Sequence, residues 1–340
     1  MLHLSAREVN GARPGFVATM APMGYLVEGV WKDLPRDTRP TGGEFLRPES
    51  VFRDKVTADG SSGFKAEPGR YHLYVSLACP WAHRTVIFRK LKGLEKAISL
   101  SVVDPLMDAN GWEFSERPGC TRDSVNAAAY LYEVYLKVRP KFSGRVTVPV
   151  LWDRQRGTIV NNESPEIIRM LNREFDAFAD KPLPDLYPEG SRPDIDRWND
   201  LVYRTVNNGV YRAGFASAQD KYEKAVRELF ATLETLERHL SSSRYLCGTR
   251  ITEADWRLFT TLVRFDTVYH YHFKCNLRRL CDHPNLWAYT RELYQVPGVP
   301  ETVDFWHIKE HYYRSQKEVN PSQVVALGPE VDFSVPHRRG

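Results

Sequence analysis

The sequence YHLYVSLACPWAHR, residues 71–84, contains the sharpest structural boundary in the chain. Its first half is a run of aromatic and apolar residues that is typical of a buried strand, and Pro80 is suited to the first turn of a helix. Cys79 therefore lies at a strand-to-helix junction, where backbone N–H groups and the helix dipole favour a thiolate over a thiol. The pattern predicts that Cys79 is a nucleophile.

Elements on both sides of this junction predict a sheet-containing domain over residues 70–180. In chain order they are a strand at 71–78, a helix at 80–91, strands at 98–103, 148–152 and 158–160, and a helix that begins near residue 164. An insertion-like stretch at 104–145, with a short helix near 125–138, separates the two halves. The order β-α-β followed by β-β-α is that of a thioredoxin-like sheet, which is an α+β fold.

The character of the sequence changes after residues 182–193, PLPDLYPEGSRP, which indicate a domain linker. Apolar residues then recur at helical spacing, and Thr252-Glu-Ala-Asp255 has the pattern of a capping box. We therefore predict an all-α domain over residues 194–315. The remaining segments are an irregular N-terminal arm at 1–69, rich in glycine, proline and polar residues, and a C-terminal tail at 316–340.

Composition and charge exclude several classes of protein. The 340 residues are 42% hydrophobic and 26% charged, which is ordinary for a soluble globular protein of two domains. The net charge of +4 comes from basic residues interspersed with acidic ones, so we predict no nucleic-acid partner. No apolar run approaches the roughly 20 residues that span a bilayer, and no membrane partner is predicted. Five scattered cysteines disfavour a secreted disulfide framework and predict a cytoplasmic protein.

Three further features indicate how a thiolate at Cys79 is used. A dithiol enzyme would have a resolving cysteine three residues later, but that position holds Ala82, so an external thiol must complete the cycle and glutathione is the obvious candidate. Val148-Pro149 before a strand predicts a cis proline that exposes backbone groups to a peptide-like ligand. Glu163-Ser164 at a helix start suits the ammonium and carboxylate of a γ-glutamyl group.

The chain resembles the glutathionyl-hydroquinone reductases, the Xi class of glutathione transferases, over about residues 24–335. The motifs that carry the resemblance are TGGEF (41–45), LYVSLACPWAHR (73–84), Gly111-Trp112, SGRVTVPVLWD (143–153), NNESPEIIRM (161–170), TVNNGVYRAGF (205–215), TEADWRLF (252–259), VRFD (263–266), HFKC (272–275) and HYYRS (311–315). The resemblance implies a thioredoxin-like glutathione-binding domain followed by the all-α glutathione-transferase domain, which would bind the substrate.

The resemblance also implies an activity and a set of site residues. Cys79 would attack the sulfur of a glutathionyl-hydroquinone and form a mixed disulfide, which a second glutathione would release as oxidised glutathione. Tyr211 would be the proton donor, with Tyr269 and Tyr312 converging on the same site. Glutathione would be bound by Trp112, Arg145, Val146, Thr147, Val148, Pro149, Glu163 and Ser164. The family further implies a homodimer.

Other interpretations remain open at the level of the sequence. A different one-cysteine glutathione enzyme, either a thioltransferase or a dehydroascorbate reductase, would share the chemistry of Cys79 but would not need three tyrosines. A non-catalytic interaction module with the same fold is an alternative of another class. The ligand types of His270, His272, Cys275, Cys281 and His283 suit zinc, but their spacing fits no standard zinc motif, and no metal is predicted.

Overall fold

The computed structural model describes residues 24–32, 41–181 and 183–339. Two parts of the predicted arm, 1–23 and 33–40, lie outside the described residues, as do Pro182 of the predicted linker and Gly340 of the predicted tail. The domain boundaries predicted above remain predictions.

A four-stranded mixed sheet forms the centre of the N-terminal half. Its strands are β3 (Tyr71–Val75), β4 (Ile98–Val102), β6 (Val150–Asp153) and β7 (Thr158–Asn161), in the spatial order β4-β3-β6-β7. β3 is parallel to β4 and antiparallel to β6, and β6 is antiparallel to β7. Helices α1 (Pro80–Leu91) and α3 (Ser164–Arg173) pack against each other, and α2 (Leu131–Val138) lies between β4 and β6 in the chain. The thioredoxin-like prediction is confirmed.

Two element boundaries differ from the prediction. β3 ends at Val75 rather than at residue 78, because the chain turns at Ser76, whose carbonyl oxygen accepts from the N–H of Cys79 at 3.2 Å. The short helix α2 begins at Leu131 rather than near residue 125. The Asp123 carboxylate accepts from the backbone N–H groups of Val125, Asn126 and Ala128. These hydrogen bonds hold the segment before α2 as a loop.

The predicted arm is not irregular throughout. β1 (Tyr25–Val27) and β2 (Val30–Lys32) form a hairpin, and β1 also pairs with β5 (Gly144–Arg145). Both turn residues have positive φ, 48° at Glu28 and 80° at Gly29, as a two-residue type I′ turn requires. The prediction missed this hairpin because each strand has three residues, which is too short to show alternation.

The C-terminal half is helical, as predicted. Its helices are α4 (Arg192–Val202), α5 (Gly209–Gly214), α6 (Gln219–Leu240), α7 (Glu253–Leu262), α8 (Pro284–Tyr294) and α9 (Phe305–Ser315). π-helical turns at Tyr203–Asn207 and Phe265–Tyr269 extend α4 and follow α7. The capping box predicted at Thr252 and Asp255 is present at the start of α7. Among the described helices, none has the length and apolar character needed to cross a membrane.

One contact joins the two halves of the chain beside Cys79, and another holds the C-terminal tail against the helical half. α1 packs against α7, so the helix that begins beside Cys79 is held by the helical half. The tail returns over α8, where the ring of Phe333 packs against Trp287 and Tyr294, and Arg339 forms an ion pair with Glu292 at 3.0 Å. The tail is therefore part of the packed structure.

Candidate active site

A cleft of about 580 Å³ lies beside the end of the sheet. It is lined by the arm at residues 47–51, by the segment 143–149 before β6, and by the start of α3. Six of the eight predicted glutathione contacts line it: Arg145, Thr147, Val148, Pro149, Glu163 and Ser164. The structure thus brings the two separate glutathione motifs of the sequence to one cavity.

Two residues predicted to contact glutathione, Val146 and Trp112, are not among the described residues that line the cleft. The side chain of Val146 is 4% exposed and belongs to the hydrophobic core, since successive side chains of an extended segment point to opposite sides. The ring of Trp112 is stacked on the imidazole of His311 in α9, with ring centres 5.0 Å apart.

Cys79 is the residue immediately before α1, at the edge of this cleft. Its Sγ lies 3.8 Å from the carbonyl oxygen of Val148, a cleft residue, and the Val148–Pro149 peptide is cis, as predicted. Burial raises the pKa of the Cys79 thiol, while the backbone N–H groups of Ala82 and Trp81 lower it. The helix start therefore acts in the predicted direction, but burial is the larger effect.

The three predicted tyrosines meet in one hydrogen-bonded cluster. The hydroxyl oxygen of Tyr312 lies 2.5 Å from that of Tyr211 and 2.9 Å from that of Tyr269. Burial raises the pKa of each phenol, and a charge on Cys79 raises the pKa of Tyr211 further. The phenols are therefore protonated at neutral pH, and Tyr211 is the one whose pKa a charge on Cys79 raises.

Arg47 and Trp81 are site residues that the prediction missed. The Arg47 guanidinium carbon lies 4.6 Å from the Trp81 ring centre and 5.0 Å from that of Tyr211, and Nε donates to Asn208 at 3.1 Å. Arg47 and Trp81 both line the cleft, so they join it to the tyrosine cluster. Trp81 lies in the CPWA motif, which was a usable signal; Arg47 lies in the arm, where no pattern marked it.

The start of α3 offers both charges that a γ-glutamyl group needs. The Glu163 carboxylate faces the cleft and accepts from the hydroxyl of Ser50 at 2.9 Å. Ser164 begins α3, and its hydroxyl accepts from buried Arg84 at 3.4 Å. An ammonium can bind the Glu163 carboxylate, and the backbone N–H and hydroxyl of Ser164 can bind a ligand carboxylate at the helix start.

Two of the residues considered as zinc ligands have other contacts. His272 bonds to Gln316 at 3.0 Å and stacks on Phe273, while Cys275 is fully buried. Within the ranges that the structure describes, no group of three or more histidine, cysteine, aspartate or glutamate side chains is arranged to hold a metal ion.

Comparisons with known proteins relate both halves of the chain to one family. Residues 78–174 match the family described as glutathione S-transferase, N-terminal domain, and residues 219–292 match glutathione S-transferase, C-terminal domain. The chain is 54% identical over 324 residues to the glutathionyl-hydroquinone reductase YqjG of Escherichia coli, covering 93% of this chain and 98% of that relative.

Solved structures agree with this relation. The Xi class glutathione transferase from Natrialba magadii superimposes with a TM-score of 0.88 at 51% identity, covering 93% of this chain and 96% of that one. The glutathione-bound structure of YqjG gives a TM-score of 0.86 at 51% identity, covering 93% and 99%. Sequence and fold therefore match along nearly the whole length of both chains.

Proposed function

The chain belongs to the glutathionyl-hydroquinone reductases, the Xi class of glutathione transferases, and from this we propose that it reduces glutathionyl-hydroquinones with glutathione as co-substrate. The observation that carries the proposal is that Cys79 lies between the cleft of about 580 Å³ and a cluster of three buried phenols. A simple disulfide exchange enzyme needs the cleft but has no use for the phenols.

The glutathionyl part of the substrate occupies the cleft. Glu163 binds the ammonium of the γ-glutamyl group, and the backbone N–H and hydroxyl of Ser164 bind its carboxylate. Val148 presents its backbone beside the cis proline to the cysteinyl residue, and Arg145 pairs with a carboxylate. This orientation directs the thioether sulfur towards Cys79, because the Val148 carbonyl and the Cys79 sulfur are neighbours.

The first chemical step is attack of the Cys79 thiolate on the thioether sulfur. A sulfur–sulfur bond forms, the bond between sulfur and ring carbon breaks, and its electron pair stays on the ring. The leaving carbon takes a proton, which Tyr211 supplies through the network with Tyr312 and Tyr269. The products are a hydroquinone and a Cys79–glutathione mixed disulfide.

The second step regenerates the cysteine. With Ala82 in the position of a resolving cysteine, an external thiolate must attack the mixed disulfide. A second glutathione does so, which releases oxidised glutathione and returns the Cys79 thiolate. One turnover thus consumes two glutathionyl groups, one of them from the substrate, and forms one disulfide.

Steady-state turnover tests the proposed function. The purified protein is expected to convert a glutathionyl-hydroquinone to the hydroquinone with one oxidised glutathione formed per product, and to reduce dehydroascorbate far more slowly. Cys79→Ser is expected to abolish the reaction. Equal or higher turnover of dehydroascorbate or a small disulfide would assign the chain to the alternative class of thioltransferases, and full activity of the serine variant would refute the mechanism.

The proposal includes a cytoplasmic homodimer. Support for the compartment comes from the five cysteines, all within the described ranges, which are free and suit a reducing environment. Support for the dimer comes from the family. Light scattering of the purified protein at micromolar concentration is expected to give twice the mass of the 39.2 kDa chain, and a monomer would contradict it.

A further inference from the structure

Arg264 is a fully buried cation with no role in the reaction steps proposed above. It lies between α7 and the π-helical turn that carries Tyr269. Its guanidinium donates to the carbonyl oxygens of Leu77 at 2.9 Å and Ala78 at 3.0 Å, the two residues immediately before Cys79. Arg264 therefore anchors the loop that presents the cysteine to the helical half.

The other contacts of Arg264 leave its positive charge uncompensated. It donates to the carbonyl oxygen of Thr260 at 2.8 Å and to Nδ1 of His83 at 3.0 Å. Within the described residues, the hydrogen bonds of its guanidinium go to carbonyl oxygens and to this imidazole, and none goes to a carboxylate. A buried cation without an anionic partner is costly unless an anion forms beside it, and a Cys79 thiolate is such an anion.

His83 is held neutral by the same arrangement. Because Arg264 donates to Nδ1, the ring proton lies on Nε2, which donates to the hydroxyl of Thr302 at 2.8 Å; that hydroxyl donates to the Val299 carbonyl at 2.7 Å. Burial and the charge of Arg264 lower the pKa of His83 well below its ordinary value. His83 is therefore an acceptor for Arg264 and is not a base that removes the proton of Cys79.

Other charged groups around Cys79 are arranged differently. Arg47, from the arm, is partly exposed and bonded to Asn208, and Arg84, from α1, is directed to Ser164 and Asn207. Tyr211, from α5, is kept protonated by burial. Arg264 is the cation of this set that is both fully buried and bonded to the loop before the cysteine.

We propose that Arg264 is a positioning residue for Cys79, which fixes the loop that carries the nucleophile and supplies a permanent buried positive charge that favours the thiolate. The proposal rests on the proposed function only in taking Cys79 as the nucleophile. It also gives the His83 of CPWAHR and the arginine of VRFD a common role.

The test is the pH dependence of Cys79 alkylation, which needs no substrate and so separates this proposal from the reductase activity. Full-length protein is treated with iodoacetamide from pH 5 to 10, and the Cys79 peptide is quantified by mass spectrometry. Arg264→Met and Arg264→Gln, both neutral, are expected to raise the apparent pKa of Cys79 by about one unit, which makes alkylation at pH 7 about tenfold slower. Above the pKa of the variants the difference disappears.

Two further variants separate charge from structure. Arg264→Lys keeps the charge with fewer hydrogen bonds and is expected to keep the apparent pKa of Cys79 within about 0.3 unit of that of the unsubstituted protein. Thr302→Val removes the hydroxyl that accepts from Nε2 of His83 and is expected to leave the apparent pKa of Cys79 unchanged. A folded Arg264→Gln with the wild-type profile would overturn the charge role. If the neutral variants do not fold, an upward shift of about one unit in folded Arg264→Lys would overturn it instead.

Discussion

The hydroxyl oxygens of Tyr211 and Tyr312 lie 2.5 Å apart, although the two residues are 101 positions apart in the chain. Tyr312 also bonds to Tyr269, so α5, the π-helical turn after α7, and α9 each contribute one phenol to a single network. The ring of Tyr211 is the one beside Arg47 and Trp81 at the cleft. We therefore propose that Tyr211 transfers the proton and that the other two phenols orient it.

Removing the hydroxyl of Tyr211 should slow hydroquinone release by Cys79 far more than disulfide exchange by Cys79. Tyr211→Phe is expected to lower kcat for hydroquinone release about 100-fold, because general acid catalysis contributes about that much. Exchange with a small mixed disulfide of glutathione should stay within about threefold, since its leaving group is a thiolate that needs no strong acid. Both rates are measured on the same preparation.

Tyr313→Phe provides the matched control for this substitution. The Tyr313 hydroxyl is also buried, but it donates to the carbonyl oxygen of Thr267 and lies outside the network. This variant should keep both activities. Equal losses of reductase and exchange activity in Tyr211→Phe would show that Tyr211 is not the proton donor.

Arg47 should contribute to substrate binding from the arm. Its guanidinium lies over the Trp81 and Tyr211 rings, and a cation in such a position stabilises an aromatic contact by about 0.5–2 kcal/mol. Arg47→Met is therefore expected to raise KM for the glutathionyl-hydroquinone about three- to tenfold. Arg139→Met, which removes a similar cation from the ring of Phe52, should leave KM unchanged. An unchanged KM in Arg47→Met would exclude this role.

The sequence predicted the order of the main elements because their signals are local. Pro80 and Pro165 mark helix starts, and the apolar run from Tyr71 marks the central strand. The cleft could be predicted only from motifs, since residues 145–149 and 163–164 become neighbours through sheet pairing. The hairpin at 25–32 and the role of Arg47 depend on contacts with distant segments, and no local pattern records such contacts.

The packing of the Trp112 ring could not be predicted from the sequence either. The ring is stacked on His311, about 200 residues away in sequence, and no local pattern records that contact. The direction in which the pKa of Cys79 is shifted could not be predicted from the sequence either. The helix start was visible in the sequence, but the burial that opposes it depends on residues from both halves of the chain.

Acid should destabilise the protein below about pH 6.5. Burial lowers the pKa of His72, His272 and His311 to about 4 each. Between that value and the ordinary 6.5 the unfolded chain binds more protons than the folded one, so stability is fully present above pH 6.5 and is lost as the pH falls towards 4. Each histidine is expected to lower the free energy of unfolding by about 1–2 kcal/mol between pH 7 and 5.

Urea unfolding at pH 7 and at pH 5 tests the expected loss of stability on acidification. His272→Gln removes one titrating group but keeps a side chain that can bond to Gln316. Its loss of stability on acidification should be smaller than that of the unsubstituted protein. An identical loss would show that His272 does not titrate in the predicted range.

Asp255 should be a major determinant of stability in the helical half. Its buried carboxylate accepts from the backbone N–H groups of Leu246 at 2.9 Å and Thr252 at 2.7 Å, and from the Tyr289 hydroxyl at 2.8 Å. Asp255→Ala leaves these donors buried and unpaired and is expected to cost about 3 kcal/mol or more, measured by urea unfolding. Asp304→Ala removes one cap bond at α9 and should cost about 1 kcal/mol. Equal small losses would contradict this ranking.

The central claim is that Cys79 takes the glutathionyl group from an aromatic thioether. Its most direct test is the intact mass of the protein after incubation with a glutathionyl-hydroquinone in the absence of free glutathione. The account predicts one added glutathionyl group per chain, located on the Cys79 peptide, together with one equivalent of hydroquinone and full reversal on addition of glutathione. Release of hydroquinone from a chain whose mass does not change would contradict it.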